Sequence, residues 1–469
     1  MAIKRISLKQ LLLLLLLLLF ILFLICRYSS CKCFCSKDQK PVDSTKFVKT
    51  VGWNVLFKPA TSQGSKDNAI ADIKESVKKF YIDYNNTNGT DFNPQFDPVV
   101  WCPCDSSLYN FSFHCVNGAG ESISSPPPRP KTPGSGDLVD VLYISNNSSI
   151  SELHKTDPTL YGPDSINKNS ITIKPLPIDN SKILALIDAG IDTALFKKGI
   201  KDLIWNDIAG QRTLFNFLPG QPLYDFSDSG RSKHGSAVTA LALKAMEGAA
   251  KYPRLMILKA LDKNDVGSIF SVSCALSYAT QKNANVVNAS LGYYGDVDSV
   301  LQHYIMQTNN HQSSKIWLFL AAGNTVTDYP HRPSKLCNGG FNQNQLTAAR
   351  LFYPACFNKQ FSNITSVTQV NNQNADASCF YQNYSNEYVN LGVQNKDNCC
   401  AFKVDFRQTQ PQFYEGSSFA TPVASGKRML TLLSNSTEAE ALSASRLMIN
   451  AAPQKRVTIN GNFIIYSEH

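Results

Sequence analysis

Charge is scarce in this sequence and is concentrated nowhere except at the amino terminus. Only 17% of its 469 residues are Asp, Glu, Lys or Arg, and the net charge is +9. Apart from Lys4, Arg5 and Lys9 there is no dense Lys/Arg block, so a nucleic-acid-binding face is not expected. No internal repeat is present, which excludes a repeat array. Glycine and proline, at 25 and 23 residues, are not in collagen-like excess, and 43% of the chain is hydrophobic. A wholly disordered, collagenous or coiled-coil chain is thereby excluded. Cysteine, in contrast, is plentiful. Thirteen residues is high for a reducing compartment, and the odd number leaves at least one unpaired or ligating something.

The amino terminus carries the compartment signal. Lys4, Arg5 and Lys9 precede a run without polar break from Leu11 to Cys26. That is a positive n-region followed by an apolar h-region, shorter than the roughly 18 to 20 residues of a full membrane span. No clean small-x-small cleavage signal follows, Tyr28-Ser29-Ser30 being a poor approximation. Residues 1–26 therefore read as a cleaved signal peptide, an uncleaved membrane anchor or a lipid-attachment segment at Cys26; the bulky Ile25 disfavours the last. All three place the rest of the chain outside the cytoplasm, secreted or membrane-anchored, where disulfides form.

Residues 27–47 read as a polar stalk with Cys31, Cys33 and Cys35. Residues 48–123 read as a small α+β module. Val51–Phe57 is strand-like, and Asn68–Tyr81 is helix-like with Ile70, Ile73 and Val77 on one face. Val99–Trp101 then leads into Cys102-Pro103-Cys104. Residues 124–137 are rich in Pro, Gly and Ser and read as an extended linker. From 138 to 469, compact apolar runs at Ile183–Ile187, Leu255–Leu261, Val286–Leu291 and Ile316–Ala322 alternate with helix candidates. The helix candidates are Gly235–Ala249, Ser268–Gln281 and Ser299–Asn310. This alternation implies an α/β fold, a parallel β-sheet flanked by helices on both faces, with reactive groups at the carboxyl ends of strands.

Three stretches fall where chemistry is expected. Asp188 ends the first strong strand and is followed by Ala189-Gly190. Lys233-His234-Gly235-Ser236 opens a small-residue helix. Glu415-Gly416-Ser417-Ser418-Phe419-Ala420-Thr421-Pro422 precedes an apolar helix through about Leu433. Proline is tolerated in a first helical turn, so Ser418 is expected near a helix amino terminus, where free N–H groups can stabilise an anion. A lone His at a helix start is more often structural. The order Asp, His, Ser is what makes the set specific.

With these stretches the chain resembles the subtilisin-like serine peptidases, the subtilases, over roughly residues 180–434. Asn288-Ala289-Ser290-Leu291-Gly292 resembles that family's substrate-lining strand, and Leu320-Ala321-Ala322-Gly323-Asn324 its oxyanion segment. Tyr353-Pro354-Ala355, Ile364–Val370 and Tyr384-Ser385-Asn386 resemble the run towards the serine. The resemblance implies a serine endopeptidase in which Ser418 is nucleophile, His234 general base and Asp188 its orienting acid. It also implies Asn324 as oxyanion donor, and Ser290, Leu291, Gly292, Ala322 and Gly323 as substrate-binding residues. Ala189 stands where the family usually has Thr or Ser, and Ser236 and Ser417 stand where Thr is commoner; none of the three removes a catalytic atom. Polypeptide substrates, a monomer and no nucleic-acid partner are implied. No cofactor is needed for the chemistry. Calcium often stabilises the family, but no acidic loop here reads as its ligand set.

Residues 48–123 have the size and pattern of a pro-region, with a permanent accessory domain as the alternative. His114, His154, His303, His311, His331 and His469 lack motif context and read as surface or structural. Cys274 reads as an inert buried thiol inside its helix, and at least one disulfide is expected among Cys337, Cys356, Cys379, Cys399 and Cys400. Cys102, Cys104, His114 and Cys115 could hold zinc, although their spacing fits a disulfide better. The rival functions are a catalytically silent binding module of the same fold and an α/β-hydrolase esterase. The esterase is disfavoured by the Gly416-Ser417-Ser418-Phe419-Ala420 context and by the chain order of the three residues.

Overall fold

The computed structural model describes residues 50–117, 140–147, 149–151, 171–197, 199–207, 213–311, 315–324, 345–370, 382–395, 402–404, 406, 412–434 and 462–466. The apolar run at 11–26, the stalk at 27–47 and the linker at 124–137 lie outside these residues, as do His154, His331, His469, Cys337, Cys379, Cys399 and Cys400. Among the described residues, no helix is long and apolar enough to cross a membrane.

A small antiparallel sheet comes first in the chain. It contains β1 (Thr50–Phe57), β2 (Asn93–Phe96), β3 (Val100–Cys102), β4 (Asp105–Val116) and β5 (Val141–Asn146). The strand order is β2-β4-β1-β5, with β3 also pairing to β4. The edge strand β5 comes from beyond the expected linker, because its apolar Val141 and Ile144 join the core under α1. Helix α1 (Gln63–Asn88) covers one face. Ala69, Ile70, Ile73, Val77 and Tyr81 recur at helical spacing and pack on Trp53, Val55, Phe111 and Phe113. The helix runs past both ends of the 68–81 apolar pattern, from the Ser62 cap to Gly89 in the left-handed region at φ 64°. Its last turns are polar, so hydrophobic periodicity carries no trace of them.

The larger sheet has seven parallel strands. They are β6 (Ile178–Asp188), β7 (Tyr252–Lys259), β8 (Val286–Ala289), β9 (Trp317–Ala321), β10 (Ile364–Val370), β11 (Leu391–Asn395) and β12 (Asn462–Tyr466). Their order is β12-β11-β10-β9-β8-β6-β7. Both faces are apolar, as a buried parallel sheet requires. Along β6, Ile183, Ala185 and Ile187 enter the core on one face, and Leu184 and Leu186 enter the core on the other. Helices α2 (His234–Ala245) and α5 (Ser417–Ser434) cover the second face. Helices α3 (Ile269–Gln281) and α4 (Ser299–Asn309) cover the first. A Cβ at Gly426 of α5 would lie 2.4 Å from the Ala242 carbonyl of α2, so only glycine permits this close crossing.

The small sheet docks on α3 and α4. Leu56, Cys102 and Leu108 share one core with these helices. Asp105 Oδ2 accepts the Tyr304 hydroxyl at 2.7 Å and the Ser277 hydroxyl at 3.3 Å, and Gln281 Nε2 donates to the Cys104 carbonyl at 3.0 Å. Cys274 is not the inert thiol its helix suggests. It forms a disulfide with Cys102, 172 residues away. Burial on the apolar face of α3 coincides with the docking face, so the same side chain meets both partners. Among the described residues, Cys104, Cys115 and Cys356 are thiols. No zinc cluster is assembled among them. Cys104 precedes β4 and His114 lies near its far end, about 30 Å of extended chain away. His114 Nε2 instead pairs with Gln95 Oε1 at 3.0 Å.

Candidate active site

Strand order brings the motif residues to one rim. Asp188 is the last residue of β6, and β8 and β9 lie next in the sheet. The segments that follow these two strands, Ser290-Leu291-Gly292 and Ala322-Gly323-Asn324, therefore emerge side by side at the carboxyl edge. His234 begins α2 and Ser418 is the second residue of α5.

His234 Nδ1 and Asp188 Oδ1 are 2.9 Å apart, and the Ala189 N–H also donates to that carboxylate oxygen at 2.7 Å. The helix can start against the Asp188 turn only because residue 235 is glycine. A Cβ there would sit 2.1 Å from the Gly190 carbonyl and 3.1 Å from Asp188 Oδ1. The Phe419 ring lies against the imidazole at a centroid distance of 4.7 Å, which brings the Ser418 stretch alongside His234. Tyr414, on the approach to the serine, donates its hydroxyl to the Ser232 carbonyl at 3.0 Å. His234, Asp188 and Ser418 are 1%, 2% and 3% exposed.

Burial sets the electrostatics. It disfavours charge on both partners, holding the Asp188 carboxyl above the usual carboxylate range and the His234 imidazole below its usual value. The Ala189 N–H opposes the first shift, and the nearby Asp265 charge opposes the second. The direction at His234 favours the neutral ring, the form able to accept a proton.

Asn324 is held by its oxygen. Oδ1 accepts the Ser417 N–H at 3.0 Å and the Ser417 hydroxyl at 3.2 Å, which leaves the amide's Nδ2 end to donate. The Ser417 hydroxyl also accepts the Gly323 N–H at 3.0 Å. Tyr294 extends the frame by donating its hydroxyl to the Asn324 carbonyl at 3.0 Å and to Asn383 Oδ1 at 2.9 Å. Asn383 Nδ2 donates in turn to the Ala322 carbonyl at 2.7 Å.

The serine helix differs from expectation at Pro422. The proline is the sixth residue of α5 and lies beyond the first turn. It has no N–H to offer the carbonyl four residues back, that of Ser418. The Ser290 hydroxyl takes that role, donating to the Ser418 carbonyl at 2.7 Å. One residue expected in the substrate-lining strand thus also completes the serine helix.

Sequence reasoning missed several members of the site. Asp228 Oδ2 accepts the Ser236 N–H at 3.0 Å and its hydroxyl at 2.7 Å, tying down the start of α2. Burial pushes the Asp228 carboxyl up to about 6, against the pull of the Ser236 bonds. Asp265 accepts the Ser232 hydroxyl at 2.6 Å and is also raised to about 6 by burial. Asp228 sits six residues before His234, and that proximity was the one available signal. Asp265 reaches the site from the loop after β7 and carries no local mark.

The subtilase family model of the S8 peptidases matches residues 179–463, well over half of the chain. A curated relative, subtilisin-like protease 3 of Plasmodium falciparum (isolate 3D7), is 26% identical over 226 residues. That match takes in 45% of this chain and only 27% of the relative's length. Among solved structures, a mutant of the epidermin leader peptide processing serine protease of Staphylococcus aureus superposes with a TM-score of 0.52. At 14% identity it covers 89% of this chain and 98% of its own, a likeness of fold. The chain belongs to the subtilase family.

Proposed function

We propose that the chain is a serine endopeptidase acting through Asp188, His234 and Ser418. The observation that carries the reading is the buried Asp188–His234 bond of 2.9 Å, with the ring of the residue after Ser418 lying tilted against the imidazole. Ser418 Oγ attacks the scissile carbonyl while His234 Nε2 takes its proton. Asp188 holds Nδ1–H, fixes the tautomer and stabilises the imidazolium as it forms. The oxyanion of the tetrahedral intermediate is met by Asn324 Nδ2 and the Ser418 N–H. The leaving amine then collects the proton from His234, and water repeats the sequence on the acyl-enzyme. Ser290–Gly292 pairs with the substrate backbone as an added strand, which serves an internal peptide bond without requiring a chain end.

The module built on β1–β5 fits the part of a pro-region, since it docks on the two helices of one face of the catalytic sheet. A disulfide between Cys102 and Cys274 suits a protein working outside the cytoplasm. A fluorophosphonate probe tests the central claim. The wild-type protein labels covalently, and Ser418→Ala abolishes labelling. Unlabelled wild-type protein, after the module has been removed by proteolysis under reducing conditions, would establish the catalytically silent alternative.

A further inference from the structure

We propose that Phe352 fills the recess that would receive the substrate side chain preceding the scissile bond, so that this peptidase selects glycine, alanine or serine there. The inference rests on the active-site reading above. A carbonyl bound between Ser418 and Asn324 belongs to the residue before the cleaved bond. The Cα of that residue is one bond from the carbonyl, so its side chain starts beside Asn324 and the preceding Gly323. With the substrate laid along Ser290–Gly292, that side chain points into the gap between Gly292 and Gly323. Two glycines facing each other would ordinarily leave such a gap open for a large group.

Here the gap is occupied. A Cβ on Gly323 would lie 2.7 Å from Phe352 Cγ, and one on Gly292 would lie 2.3 Å from Phe352 Cε1 and 2.5 Å from Cζ. A single ring therefore reaches from one glycine to the other. The ring, together with the Tyr353 carbonyl 2.5 Å from a Cβ on Gly292 and Asn383 Nδ2 2.7 Å from one on Gly323, takes the space that side chains at these positions would need, and the substrate does not gain it. Nor is the ring free to swing aside. Phe352 is 2% exposed, and its residue pairs in a two-stranded ladder with Tyr294. The Tyr294 ring meets it edge-on at 4.9 Å, and its N–H donates to Cys356 Sγ at 3.3 Å. Tyr294 is itself tied to Asn324 and Asn383, so moving the ring would disturb the oxyanion frame.

The test uses quenched-fluorescent peptides identical except before the scissile bond, where they carry Gly, Ala, Leu or Phe. The wild-type full chain, normalised by fluorophosphonate-labelled sites, should cleave the better of the Gly and Ala peptides at least tenfold faster than the Leu and Phe peptides. Phe352→Ala should raise kcat/KM for the Phe peptide at least tenfold per labelled site. A wild-type preference below tenfold overturns the proposal, and this arm needs no variant to fold. A Phe352→Ala enzyme that labels yet keeps the wild-type profile overturns it as well. Wild-type protein that neither labels nor cleaves any peptide, even after the β1–β5 module has been removed by proteolysis under reducing conditions, fails the peptidase reading itself, a distinguishable result.

Discussion

His234 can accept a proton only while its ring is neutral, and its surroundings keep it so. Burial lowers its pKa from the ordinary value near 6.5, and the nearby Asp265 offsets only part of the shift. The sign follows directly. As pH falls through the lowered pKa the ring takes up a proton and the base is lost, so activity should persist below the ordinary value near 6.5 and be lost only further to the acid side. A pH profile of kcat/KM should therefore show its acid limb centred below that value, and a limb centred above it contradicts the environment described for this ring. The sequence singles out the proposed site residues because each stands in a short motif with its own local requirement, such as the glycine after His234. Asp228, Asp265 and Ser232 were not legible. Asp228 and Ser232 stand just before α2 but in no motif of their own, and Asp265 is brought to the start of α2 only by folding.

At the level of elements, the serine helix depends on a neighbouring strand. Pro422 cannot donate to the Ser418 carbonyl, and the Ser290 hydroxyl replaces the missing bond. Replacing Ser290 with Ala strands a buried acceptor, with an expected loss of about 1–3 kcal/mol in stability. Urea unfolding of Ser290→Ala in the Ser418→Ala background, which prevents self-digestion, measures this directly. An unchanged midpoint would mean that the carbonyl finds another donor. Four of the parallel strands, β6 to β9, and the apolar parts of α2, α3 and α4 could be read from the sequence, because burial on both faces writes itself as continuous apolar runs and 3.6-residue periodicity. The polar ends of α1 and the position of Pro422 within α5 could not. Capping geometry at Ser62 and Gly89, and the Ser290 side chain just past the end of β8, decide those features.

For the whole molecule, the change of composition near residue 124 suggests two parts, and the way the described elements join across it is not written in the sequence. β5 lies beyond the linker yet pairs with β1, and Cys274 lies deep in the catalytic part yet bonds to Cys102. Neither pairing leaves a sequence signal, since each depends on two surfaces meeting. A cut between residues 118 and 139 should leave one species on a non-reducing denaturing gel and two fragments on a reducing one. Fragments that part without reductant would contradict the bond. The covalent link turns the first module into an intramolecular ligand. Diluting a nicked preparation does not lower its local concentration, which for a short tether is of millimolar order. Occupancy of the docking face is then set by the redox state of one bond and hardly at all by how much protein is present.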